Sequence, residues 1–266
     1  FPDENGDDIQ DEIRTRQEIA TDAGLPIDSP SVEAALREQF ADVPDDRAAP
    51  LIELTDLKPG DEGELTFSLH LFDNPGYIWI GSSTQSSAEN GFTEPELDDP
   101  DEVDSETTPV ESRDGELIDR IEATLWYDDG DNQQESGETT VISGTLRTVL
   151  CRLNAGIALD ADPSTGTRDC FEGDTTRYLG LRWSLPVDHA NEIQGDSVTF
   201  DLGFATEQCR HNDGANAPYA DGVVTPDGSI QSAVDAASSG DVIKLRAGTY
   251  VEQVVIDKPL ALVGEG

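Results

Sequence analysis

Between residues 51 and 80 the chain reads LIELTDLKPGDEGELTFSLHLFDNPGYIWI. Within it Leu65, Phe67, Leu69 and Leu71 alternate with Thr66, Ser68 and His70. A period of two with one apolar and one polar face is that of a half-buried strand. Turn chemistry bounds it at Lys58-Pro59-Gly60-Asp61 and Asp73-Asn74-Pro75-Gly76, where Pro presets φ and Gly takes the positive-φ position. A second short strand follows at Tyr77–Ile80, and others recur at Ile121–Tyr127, Tyr178–Leu185 and Ser197–Phe204. Short strands between hard turns, repeated down a chain, predict an all-β antiparallel sandwich.

Helical periods are few. Val32, Leu36 and Phe40 make one apolar stripe that Ser29 or Ser31 can cap, and a second helix is predicted over Gly144–Ala155. Residues 82–114, rich in Ser, Glu, Asp and Pro, read as a long surface excursion. After about residue 217 the character changes to a short helix, Ser229–Ala237, and then short apolar runs split by Gly and Pro. The pattern divides the chain into an acidic segment at 1–50, a sandwich at 51–216 and a distinct C-terminal piece at 217–266.

Charge changes the picture most. A net charge of −41 with 57 acidic residues repels a polyanion and excludes nucleic acid as a default partner. Lysine occurs only at Lys58, Lys244 and Lys258. Dense carboxylate with scarce lysine suits molar salt, where the Debye length falls to about 3 Å and self-repulsion is screened. No apolar run of about 18 residues exists, so no membrane-spanning helix is expected. Of the three cysteines, Cys151 sits in the apolar run Val149–Leu153 and reads as a small buried hydrophobe. Cys170 and Cys209 lie beside polar turns where a disulfide closes easily, and their pairing is predicted with Cys151–Cys170 as the competitor.

Several stretches together resemble the TasA/camelysin family of secreted surface proteins, in the version of extremely halophilic archaea. They are DLKPGDEGELTFSLHL with DNPGYIW and ENGFTEPE, GELIDRIEATLWYDDGDN at 115–132, TTRYLGLRWSLPVDHANEIQGDSVTFDLGF at 175–204 and TEQCRHNDGA at 206–215. The resemblance spans roughly residues 1 to 215. It implies a jelly-roll sandwich, export to the cell surface and assembly with copies of itself into extracellular fibres by strand donation. Under it the sequence from Phe1 reads as a processed or partial product, with the donor strand expected upstream of Phe1. Val251–Ile256 and Leu260–Val263 are the alternative donors. Residues 217–266 resemble the opening of a right-handed parallel β-helix of the pectin-lyase-like kind. Residues 242–263 supply little more than one coil, so the piece is expected either to continue past Gly266 or to dock on the sandwich.

Two acidic loops have calcium spacing. Asp3, Asn5, Asp7, Ile9 (through its carbonyl) and Asp11 place oxygens at alternate positions, although Asp8 replaces the usual Gly and Arg14 the bidentate Glu. The loop from Asp128-Asp129-Gly130-Asp131-Asn132 to Glu135 and Gly137-Glu138 resembles the family's DGDN…GE segment, which implies Ca2+ there, with Asp128, Asp129, Asp131, Asn132 and Glu138 as the expected ligands. An ordinary solvated acidic loop is the competing reading for both. His70, His189 and His211 are isolated, and Trp79, Trp126 and Trp183 lie in strand patterns that suit a core. Without a nucleophile elbow, phosphate loop or zinc-protease motif, no catalysis is expected. The reading is a calcium-stabilised, head-to-tail extracellular filament, pilus or biofilm-matrix subunit. Other cells' filaments or a surface polysaccharide are further partners. The alternative is an accessory or adhesive domain of a secreted β-helix protein acting on or binding carbohydrate.

Overall fold

The computed structural model describes residues 57–264, apart from 73, 83, 84, 103, 105, 106, 109–113, 189 and 190, together with residues 23, 24 and 31. The acidic loop Asp3–Asp11, the helix at 31–40 (Ser31 apart) and His189 lie outside the described residues.

The alternation around Leu65 becomes β1 (Glu62–His70), which pairs along all nine residues with β7 (Thr176–Ser184). β7 pairs on its other side with β4 (Glu122–Asp128), and β4 with β5 (Thr140–Thr145), giving the antiparallel order β1-β7-β4-β5. A second antiparallel sheet joins β6 (Ile157–Ala158), β2 (Gly76–Gly81) and β9 (Gly203–Gln208). β3 (Gln85–Ala88) and β8 (Ser197–Phe200) prolong the β2–β9 ribbon beyond a break, which the Ser82 hydroxyl spans by donating to Asp201 Oδ1 at 3.0 Å. The strand expected at Ser197–Phe204 is therefore two strands, parted at Asp201 and Leu202. The pairs β2–β9, β3–β8 and β4–β7 are nested in sequence, the connectivity from which a jelly roll is built, with β1 added on the outer edge of β7.

The chain is all-β, with four short helices among the described residues. α1 (Glu94–Leu97) and β3 fall in the stretch read as a long surface excursion. α2 (Leu117–Arg120) precedes β4. α3 (Leu146–Asn154) starts at Thr145, whose hydroxyl accepts from Thr148 N, and buries Leu146, Val149, Leu150 and Leu153. These side chains join Leu65, Phe67, Leu125, Leu179 and Leu181 of one sheet and Ile78 and Ile80 of the other in one apolar core. Cys151 corrects the expectation of burial. The helical period of 3.6 places it opposite the Leu146–Leu150–Leu153 stripe, and it is a free, exposed thiol. Cys170 and Cys209 are joined, with their Cα atoms 6.4 Å apart.

The opposite face of the first sheet is also filled. Gly180 stands in register between Thr66 and Trp126, and the fully buried Trp126 ring lies against it. Arg168 locks the second sheet. Its guanidinium donates to the carbonyls of Leu159 (2.8 Å), Gly214 (2.7 Å) and Ile78 (2.7 Å) and stacks 4.2 Å from the Trp79 ring centre.

Residues 57–266 form one compact unit, so the C-terminal piece belongs with the sandwich. α4 (Ile230–Ala236) follows β10 (Gly222–Val224), which pairs in parallel with β11 (Val242–Leu245), and β11 with β12 (Ala261–Gly264). Val224, Ile230, Val234 and Ile243 make a small separate core. The ladder docks on the end of α3 through Ala155, Val242 and Val263, and buried Lys244 donates its ammonium to Gly156 O at 2.8 Å. These strands make one three-stranded parallel sheet. Residues 251–256, read as an alternative donor strand, have no strand, and Val251 is 94% exposed. No helix among the described residues is long and apolar enough to cross a membrane.

Candidate metal centre

The β4–β5 hairpin carries the loop expected to bind calcium. Asp128 closes β4 and is buried. Its Oδ1 accepts from Trp126 Nε1 (3.2 Å), and its Oδ2 from Gly130 N (3.0 Å), Asn132 N (3.4 Å) and the Thr66 hydroxyl (3.3 Å). Asn132 takes φ of 63° and accepts at Oδ1 from the same hydroxyl at 2.7 Å. Asp128 and Asn132 are thus spent on shaping the turn and fastening it to β1. Asp131 caps Gln133 N at 2.9 Å.

The carboxylates that converge are Asp129, Glu135 and Glu138, each with an oxygen within 4.8 Å of the others. Glu138 holds the loop by accepting from Asp129 N (2.9 Å) and Glu135 N (3.0 Å). Local desolvation, then the charges of Asp131, Glu138 and Asp129, raise the Glu135 carboxyl above its ordinary range. Two of the five expected ligands, Asp129 and Glu138, lie in this group, and Glu135 supplies the third carboxylate. The group is solvent-exposed, an arrangement that solvated acidic loops share.

His70 packs its ring 4.6 Å from that of Phe72, with Nδ1 3.2 Å from the Thr176 hydroxyl. His211 sits in a turn at φ of 70°. Neither belongs to a metal-ligating group among the described residues.

A second convergence is buried. Glu89 follows β3, Glu96 lies in α1, Glu102 comes after it, Glu116 stands just before α2 and Asp196 precedes β8. Glu96 is fully buried, and Glu89 and Glu116 are each 5% exposed. Burial, then the neighbouring Glu89 and Glu116, push the Asp196 carboxyl up to about 8. Glu96 and Glu102 are raised as well, by burial first. Glu89, Glu96 and Glu102 fall in the stretch read as a surface excursion, Glu116 and Asp196 stand apart from it in sequence, and only the Thr93-x-x-Glu96 capping box had a sequence signature. No family model matches this sequence, and no curated protein matches it.

Proposed function

We propose that this chain is a structural subunit of an extracellular filament or matrix, chained head to tail by addition of a strand to a sheet edge. The observation that carries this reading is the edge strand β1. Among the described residues it pairs with β7 alone. Leu185 N donates to Asp61 O, which sets the hydrogen-bonded pairs at odd positions of β1, so the N–H and C=O of Glu64, Thr66 and Ser68 face the open edge. An unpaired edge of this length is a template for another chain's strand. A head-to-tail contact of that kind propagates as an open filament. The Cys170–Cys209 disulfide suits an oxidising compartment, and the charge of −41 suits a molar-salt surface. Calcium at Asp129, Glu135 and Glu138 would clamp the β4–β5 hairpin of that same sheet.

Negative-stain microscopy of secreted material in molar salt should show filaments. Ser68→Pro removes an N–H that β7 does not use, so it should leave the subunit folded and block growth. Unchanged filaments from this variant would refute acceptance at β1.

A second reading, an adhesive module for carbohydrate, draws on the parallel β10-β11-β12 ladder. Retention on surface polysaccharide by a chain that stays monomeric would favour it.

A further inference from the structure

We infer that Glu89, Glu96, Glu102, Glu116 and Asp196 form a buried calcium site that staples three remote segments of the chain together. The geometry is that of a prepared shell. Glu89 Oε1 accepts from Gly91 N at 2.9 Å, Glu96 Oε2 from Thr93 N at 2.8 Å, Glu102 Oε1 from Asp104 N at 2.6 Å and Asp196 Oδ2 from Leu117 N at 2.8 Å. Each of these four carboxylates is held by one oxygen. The other oxygens of Glu96 (Oε1) and Glu102 (Oε2) are buried with no hydrogen-bond partner, while Glu89 Oε2 and Asp196 Oδ1, equally buried, meet no N–H donor, and these two carboxyls bond each other only by sharing a proton. Leaving a buried charged acceptor unsatisfied is among the costliest arrangements in a fold.

Two triads share Glu89. Glu89, Glu102 and Glu116 form one, and Glu89, Glu96 and Asp196 the other, with the ligand oxygens of each within 4.8 Å of one another. Calcium bonds oxygen at about 2.3–2.6 Å, so oxygens on opposite sides of one ion stand up to about 5 Å apart. A single cation therefore reaches either triad, and Glu89 lies in both. Arg120 Nε lies 3.5 Å from Glu192, a carboxylate outside this set. Donors are oxygen only, without His or Cys, which selects a hard cation over zinc. Three carboxylates within reach of one ion, with two more adjoining, leave little room for the water shell that magnesium retains, which selects calcium.

The site also accounts for order in an acid-rich stretch with few regular elements. Asn90 Nδ2 donates to Gly195 O (2.8 Å) and Ser197 Oγ (2.9 Å), and Thr93 Oγ1 to Gln194 Oε1 (3.0 Å). These bonds hold β3 and α1 against the start of β8, and the ion would lock both to α2.

The test uses the full chain in molar KCl, freed of divalent ions by chelation and then titrated with CaCl2. The melting temperature should rise with calcium. Glu96→Gln and Asp196→Asn should each weaken calcium binding by roughly tenfold or more, in the range typical of disturbed metal shells. Without calcium both variants should melt at or above the parent, because each removes a buried carboxyl that is costly to ionise. Glu135→Gln/Glu138→Gln should retain the buried equivalent. Hydrogen exchange on the parent chain reads the site independently of any variant, with calcium slowing exchange at residues 89–104, 116–118 and 194–197. A parent chain whose melting and exchange ignore calcium would overturn the inference, since its carboxyls would then be sharing protons. So would a calcium response lost entirely in Glu135→Gln/Glu138→Gln. An equal response to magnesium would overturn the choice of ion.

Discussion

Arg168→Met cuts one side chain that serves three stretches of backbone at once. Its guanidinium bonds Leu159 O, Gly214 O and Ile78 O at 2.7–2.8 Å, and its Cζ lies 4.2 Å from the Trp79 ring centre and 4.8 Å from that of Tyr77. Burial lowers its pKa, opposed by Tyr77, Tyr127 and Asp160, yet an arginine starts so high that it stays charged at neutral pH. The Ile78 carbonyl keeps a donor after the change, because Leu159 N also bonds it at 2.9 Å. The loss therefore falls on the Leu159 and Gly214 carbonyls, at about 1–2 kcal/mol each, and on the stacking, at about 1 kcal/mol. Methionine fills much of the volume, so the cavity contribution is small. The sum is about 3–5 kcal/mol, which at about 2–4 °C per kcal/mol for a chain of this size lowers Tm by roughly 6–20 °C. Arg168→Lys keeps the charge without the planar fork and should lose about half as much. The assay is urea unfolding followed by Trp fluorescence at fixed salt, with Tm by circular dichroism. A Met variant within about 1 kcal/mol of the parent would refute the reasoning, as the side chain would then be solvated rather than bearing the junction.

Two further changes probe separate parts of the structure. Gly180→Ala puts a Cβ 2.1 Å from the Trp126 ring and should cost about 3 kcal/mol or prevent folding, whereas Gly166→Ala, which meets nothing within 4 Å, should stay within about 0.5 kcal/mol in the same urea titration. Glu252 accepts from Ile230 N (2.6 Å), Gln231 N (3.2 Å) and Ser229 Oγ (3.0 Å) at the start of α4, and these bonds lower its pKa from 4.5. Its contribution is present above the unfolded pKa and is lost as pH falls through the folded one. Melting curves of the parent and Glu252→Gln should therefore converge below pH 4.5, and a difference that persists unchanged into acid would contradict this role.

What the sequence determined by itself was whatever a few neighbouring residues decide. The alternation of Leu65, Phe67 and Leu69 selects a strand because successive side chains face opposite ways, and that holds wherever the strand is placed. The β4–β5 loop was readable as a carboxylate cluster because Asp129, Glu135 and Glu138 share one hairpin, and closure of a short loop brings them together. Its ligand set was less readable, since the partners of Asp128 and Asn132 include Thr66, 62 and 66 residues away. Cys151 was misjudged because an apolar run says nothing of which side of a helix faces the core, and that phase is set by Leu146, Val149, Leu150 and Leu153 together. Only the tertiary structure decided that β7 inserts between β1 and β4, that Gly180 makes room for Trp126 and that Arg168 reaches three separate carbonyls. The buried carboxylates are the plainest case. Glu89, Glu96, Glu102, Glu116 and Asp196 stand among dozens of other acids in sequence, and apart from the capping box at Glu96 nothing local marks them. They become a site because the antiparallel β3–β8 pairing carries residues about 100 apart to one point, and convergence of that kind is a property of strand order, which short-range pattern does not encode.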